Sequence, residues 1–294
     1  MRGGAHVSLL AMLLVTSATA SAQVATPGDG ALARSTSPSI GGVAVGMHFM
    51  QPRASYESYL WEIAHVGADT VSLVVSWHQR DIRSVAISPD PEATPSDASV
   101  SRAIDDAHRL GLRVLLFPIV ALDVRAAGEW RGKLAPTDRD AWYASYSAFL
   151  DHYLDVASAH GVEFFSVGSE LGTMQLDTER WRGMIAHVRS RYSGRLIYSA
   201  NWDNYANVGF WPELDYLGVT GYYELASSAA AVPEQAELVA AWRPVVAQLR
   251  AVAQQAHRPL VITELGYVSQ TAAARYPWDY TRTGGTDLVA QLRL

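Results

Sequence analysis

Seven times between Gly42 and Thr263, a short apolar run is followed by a longer polar or amphipathic segment. The runs are rich in Val, Ile, Leu and aromatics, and they lack the polar-out alternation of a half-exposed sheet. Strands that are apolar on both faces belong to parallel sheets covered by helices, because a parallel connection needs a crossover long enough to hold one. The expected strands are 42–49, 70–76, 113–120, 161–171, 196–200, 216–220 and 260–263. The expected helices are 56–66, 97–110, 138–160, 177–191 and 233–256, with a last one at 287–294. Gly111 and Gly161 stand where two of these helices should stop. Seven β/α units without a break in composition favour a closed barrel over a doubly wound sheet, and no Gly-rich dinucleotide fingerprint follows the first strand. The expected fold is therefore a TIM (β/α)8 barrel, truncated before its eighth strand.

The N-terminal residues read differently. Arg2, the apolar run Val7–Val15 and the small residues at 18–22 have the three-part pattern of a secretory signal, 1–22. Residues 23–40 are rich in Ala, Pro, Gly, Ser and Thr and read as a leader to the barrel domain at 41–294. The expected location is outside the cytoplasm, secreted or periplasmic, with no membrane contact once the signal is removed.

Two of the apolar runs end in the same way. Phe164-Phe165-Ser166-Val167-Gly168-Ser169 leads to Glu170, and Leu260-Val261-Ile262-Thr263 leads to Glu264, each acid being followed by Leu. In a barrel the carboxyl ends of all strands open on one mouth, so both acids face the same cleft. Two carboxylates flanking one cleft are the minimum apparatus for breaking a glycosidic bond. Other strand ends carry His48, Trp77-His78, Ser169, Asn201-Trp202-Asp203 and Tyr222-Tyr223, and Trp278 follows the seventh strand. Sugar hydroxyls need amide, carboxylate and phenol partners, and sugar CH faces need flat aromatic plates. On that ground His48, Trp77, Ser169, Asn201, Trp202, Tyr222, Tyr223 and Trp278 are candidate substrate contacts beside catalytic Glu170 and Glu264.

Competing chemistries lack their residues. The chain has no cysteine, which removes disulfides, thiol catalysis and cysteine-ligated metals. Its nine histidines show no His-Glu-x-x-His or His-x-His spacing, and Gly168-Ser169 lacks the flanking glycine of a nucleophile elbow. Net charge is −6 and Lys133 is the only lysine, so nucleic acid is not an expected partner. No metal or organic cofactor is required, and the chain is expected to act as a monomer.

Phe165–Leu171, Tyr198–Asp203, Asp215–Tyr223 and Ile262–Tyr267, with Trp130-Arg131-Gly132 and Pro277–Tyr280, together resemble glycoside hydrolase family 113. The resemblance covers about residues 42–294. It implies a β-mannanase-like retaining glycosidase of the TIM-barrel clan, with acid/base Glu170 on strand four and nucleophile Glu264 on strand seven. Ser169 stands where most of that clan carries Asn, and Phe117-Pro118-Ile119 stands where the mannanases carry Lys and His about the proline. The function so implied is secreted, retaining cleavage of a β-linked, mannan-like polysaccharide or oligosaccharide. In that role Glu170 would have a pKa of about 6–7. The alternative from a different class is a catalytically impaired, carbohydrate-binding barrel remnant.

Overall fold

A computed structural model describes residues 40–47, 54–228, 233–279, 281–282 and 284–294. The expected signal and nearly all of the leader lie outside the described residues, as does His48. The strands are β1 Gly42–Gly46, β2 Thr70–Gln79, β3 Arg113–Leu122, β4 Phe164–Ser169, β5 Arg195–Ala200, β6 Tyr216–Thr220 and β7 Leu260–Glu264. The helices are α1 Glu57–His65, α2 Asp97–Arg109, α3 Arg139–Ala159, α4 Thr178–Arg191, α5 Gln235–Ala256 and α6 Leu288–Arg293. All seven strands form one parallel sheet in chain order, the topology of a (β/α) barrel. The described residues supply seven of its eight strands, with β1 and β7 at the two edges.

Two strands run further than the sequence indicates. The β2–β3 ladder continues through Trp77–Val120, His78–Ala121 and Gln79–Leu122, so polar residues that read as loop are strand by pairing. Helix starts follow local chemistry. Ser96 caps α2 by accepting from the Ser99 amide, Asp138 caps α3 through the Ala141 amide, and Glu234 and Glu237 form a capping box on α5. Gly111 and Gly161 have φ of +77° and +68°, the left-handed backbone with which helices commonly end and that a side chain disfavours.

The sheet separates two apolar cores. On its outer face, Val71, Leu73 and Val75 of β2 and Val114, Leu116 and Val120 of β3 pack into the large sheet–helix core. On its inner face, Ala44, Leu115, Phe117, Ile119, Phe164, Ile197 and Val261 form a smaller cluster, with Val74 packed against it. Strand alternation assigns every residue to one layer or the other. In β2 even numbers therefore face inward and odd numbers outward.

Glycine marks the tightest inner contact. A Cβ on Gly218 of β6 would lie 2.5 Å from the Tyr198 carbonyl oxygen and 2.9 Å from Ile197 and Thr263. Gly183, exposed in α4, has nothing within 4 Å of the corresponding position. Gly218→Ala should cost about 1–3 kcal/mol by forcing backbone apart. Gly183→Ala should gain about 0.5–1 kcal/mol through lost unfolded-state freedom. Urea unfolding of the two variants against wild type checks the pair.

Candidate active site

Glu170 follows β4 directly and leaves it abruptly. Its φ of +55° is rare for a residue with a side chain, and it coincides with a turn into the β4–α4 loop. Its amide donates to the Ser199 carbonyl at 2.7 Å, which ties the distorted residue to β5. Strain of this kind persists only where the surroundings over-determine it, and it concentrates at functional sites.

Each acid also follows a register shift. In the β4–β5 ladder the pairing skips between Ser166 and Gly168, so that Ser169 lies opposite Ser199 on the inner side. In β6–β7, Val219 pairs with Ile262 but Thr220 pairs with Glu264. Plain alternation from Val261 would put Thr263 inside and Glu264 outside. Thr263 is inside, bonded to the Ser199 hydroxyl, and the shift brings Glu264 inside as well. The two carboxyl groups are thus aimed over one mouth.

The local electrostatics are those of a crowded, water-poor pair. The Glu264 carboxyl is pushed up from 4.5 to about 7, chiefly by burial and then by the charge of Glu170. Arg131 and the hydroxyl of Tyr222, which donates to Glu264 Oε2 at 3.1 Å, oppose that rise. Burial and the two carboxylates hold the Tyr222 phenol well above its ordinary range, so it stays a donor. Glu170 itself is buried and accepts a charge-assisted bond from Arg131 Nη2 at 2.7 Å.

Arg131 is the functional residue that sequence reasoning left without a role, although Trp130-Arg131-Gly132 stood out as a motif. Its loop is clamped by close backbone approach. A Cβ on Gly132 would lie 2.4 Å from the Trp130 ring, and one on Gly172 would lie 2.8 Å from the Gly132 carbonyl oxygen. That carbonyl accepts from the Thr173 amide at 3.0 Å, which locks the β3–α3 loop onto the β4–α4 loop just beyond Glu170. The readable signal was an Arg between Trp and Gly after a third strand; its target was set by packing.

The remaining candidates divide. Beside Glu170, the buried Ser169 hydroxyl has no hydrogen-bond partner among the described residues. Asn201 accepts from Thr220 at 3.3 Å and donates to Asp203 at 2.7 Å, so it is tied to its neighbours at the end of β5. Trp202 and Trp278 stack with ring centroids 5.5 Å apart, and Trp278 is 38% exposed. Trp77 requires correction. Its odd position on β2 turns it outward, where it packs against Phe149, His152 and Tyr153 of α3 at 5.1–6.3 Å. It is part of the sheet–helix layer and not a plate in the cleft. Tyr223 is corrected likewise: it is buried between Trp202 and Trp242 of α5, each 5.6 Å away, and supports Trp202 from behind. Tyr222, one residue earlier, takes the inward place. His78 is paired with Asp123 at 2.7 Å and lines a groove of about 660 Å³ beside the β2–α2 loop, which neither glutamate lines.

The raised Glu264 carboxyl fixes a sign for stability. Its folded value of about 7 lies above its unfolded 4.5, so it stabilises the fold most below pH 4.5 and progressively less as pH rises to 7. Glu264→Gln should therefore be more stable than wild type at pH 8, by up to about 3 kcal/mol, with the gap closing by pH 5. Thermal unfolding at the two pH values reads the difference.

A family model described as Glycoside Hydrolase Family 113 matches residues 43–294. Among solved structures, a family 113 β-mannanase from Alicyclobacillus acidocaldarius in complex with ManMIm is 30% identical. That match covers 81% of this chain and 73% of that one, with a TM-score of 0.72. A family 113 β-1,4-mannanase, solved alone and as a complex, is 24% identical over 86% of this chain and 81% or 80% of its own, with a TM-score of 0.75. No curated protein sequence matches this chain. The inward-facing acid pair, the strand order and these likenesses agree, and the chain belongs to glycoside hydrolase family 113.

Proposed function

We propose that this chain is an exported, retaining glycoside hydrolase that cuts β-linked mannan-type polysaccharides or oligosaccharides by means of Glu170 and Glu264. The observation that carries the reading is the pair itself, two glutamates at the ends of β4 and β7 close enough for the charge of one to raise the other. The membership of family 113 and the 30%-identical β-mannanase support a mannan-type substrate. Export rests on the signal-like residues 1–22.

In this mechanism Glu264 attacks the anomeric carbon as a carboxylate, with Tyr222 holding Oε2 and orienting it. Glu170 protonates the departing glycosidic oxygen. Once Glu264 is esterified its charge is gone, and Glu170 then accepts a proton from the water that hydrolyses the glycosyl-enzyme. The Ser169 hydroxyl, buried and without a partner among the described residues, is placed to bond a sugar hydroxyl. The Trp202–Trp278 stack offers the exposed Trp278 ring to a sugar CH face.

Hydrolysis of β-1,4-mannooligosaccharides, followed by NMR of the first-formed anomer, tests the reading. Retention is expected, and inversion would rule out Glu264 as nucleophile. Glu170→Gln should lose about 10²–10⁴-fold on natural substrate but much less on aryl glycosides whose leaving group needs no proton. Glu264→Gln should lose turnover on both. A wild type that binds the oligosaccharide without cleaving it would instead favour a carbohydrate-binding role. Tyr222→Phe removes the bond that favours the Glu264 carboxylate, so the acidic limb of its kcat/KM profile should move to higher pH.

A further inference from the structure

On the reading above, Glu170 must carry a proton when substrate arrives, yet Arg131 is bonded to that very carboxyl. A guanidinium 2.7 Å from Glu170 Oε2 favours its ionised form. The contact is held in place, since Gly132 is pressed against the Trp130 ring and the Gly132 carbonyl is bonded to Thr173.

Among the described residues, the titratable groups that Arg131 acts on include Glu170 at the end of β4, Glu264 on β7, Tyr222 beyond β6 and Tyr146 of α3. Tyr198 of β5 stands close to Glu170. Burial pushes all three phenols up, so they are neutral at working pH. The charged groups that these contacts join are one guanidinium and two carboxyls. One proton shared by the two acids relieves the repulsion between their charges. That proton has two seats. Glu170 has the guanidinium bonded to it, whereas Glu264 is bonded by a phenol O–H and feels the charge of Arg131 without a bond to it.

We propose that Arg131 is a positioning residue that decides which of the two carboxyl groups holds the shared proton. In the empty site it keeps Glu170 ionised and leaves the proton on Glu264. A sugar entering between the acids releases Glu170 from the guanidinium, and the proton passes across. The O–H bond of Glu264 breaks, an O–H bond forms on Glu170, and no outside acid or base is consumed. Glu264 emerges as the carboxylate nucleophile and Glu170 as the proton donor. The catalytic consequence rests on the glycosidase reading; the assignment of the proton in the empty site does not.

The test therefore has an arm that needs no turnover. In Glu264→Gln, Glu170 is the one titratable carboxyl of the pair, and its infrared carboxyl band is followed against pH with and without Arg131→Gln. Removing the guanidinium should raise the titration by about one pH unit or more, a tenfold change or larger. Arg131→Lys in the same background keeps the charge and should stay near the parent, and Arg131→Met replaces the Gln variant if that one unfolds. Coincident titrations with and without the positive charge would overturn the proposal. In the otherwise wild-type protein, Arg131→Gln should move both limbs of the kcat/KM profile on β-1,4-mannooligosaccharides to higher pH. A uniform drop with unmoved limbs would mean that Arg131 only props its loop, and would also overturn it. A wild type without hydrolytic activity would sink the glycosidase reading alone, because the carboxyl titration is read independently of turnover.

Discussion

The repulsion between two carboxyl groups sharing one water-poor mouth is the constraint around which the rest of this molecule is arranged. Left alone, two such groups would protonate or draw apart, since burial and like charge both oppose ionisation. Here they are held together by strand ends, and their charge is balanced by Arg131 on one side and the Tyr222 hydroxyl on the other. The clamped loop that carries Arg131, the strained backbone at Glu170 and the shifted pairing before each acid all serve that balance.

The barrel makes such an arrangement affordable in structural terms. The fully buried side chains of the sheet–helix layer, among them Trp142, Tyr146, Phe149 and Trp181, supply the apolar burial that tolerates an unfavourable site. Several carry a polar tip that also anchors backbone. Tyr146 donates to the Val167 carbonyl at the register shift of β4, and the Tyr198 hydroxyl accepts from the Leu171 amide beyond Glu170. These aromatic residues are thus core, with hydroxyls placed to hold distorted strand ends.

Much of the fold was legible because its signals are local. Apolar runs and glycines after helices depend on neighbours within a turn or two, and they placed each of the seven strands and six helices close to where they lie. The same alternation also held information that reading by strand end alone overlooked. Trp77 shares its parity with Val71, Leu73 and Val75 of β2, which marks it as outward-facing, and Tyr223 lies one residue away from the inward Tyr222. Counting parity from an inner-core residue separates plates in the cleft from props behind it.

What the amino-acid sequence determined by itself is the order of elements, the parallel barrel and the two strands that end in Glu170 and Glu264. Hydrophobic period and capping chemistry act over a few residues, and both are written in consecutive letters. What only the tertiary structure decided is the state of the site. Alternation along β7 alone points Glu264 outward; its pairing against Thr220 of β6 turns it in. Nothing local says that Arg131 reaches a carboxylate 39 residues away. Nor does it say that burial raises the acid on β7, because desolvation is a property of everything packed around a group and not of its neighbours in the chain.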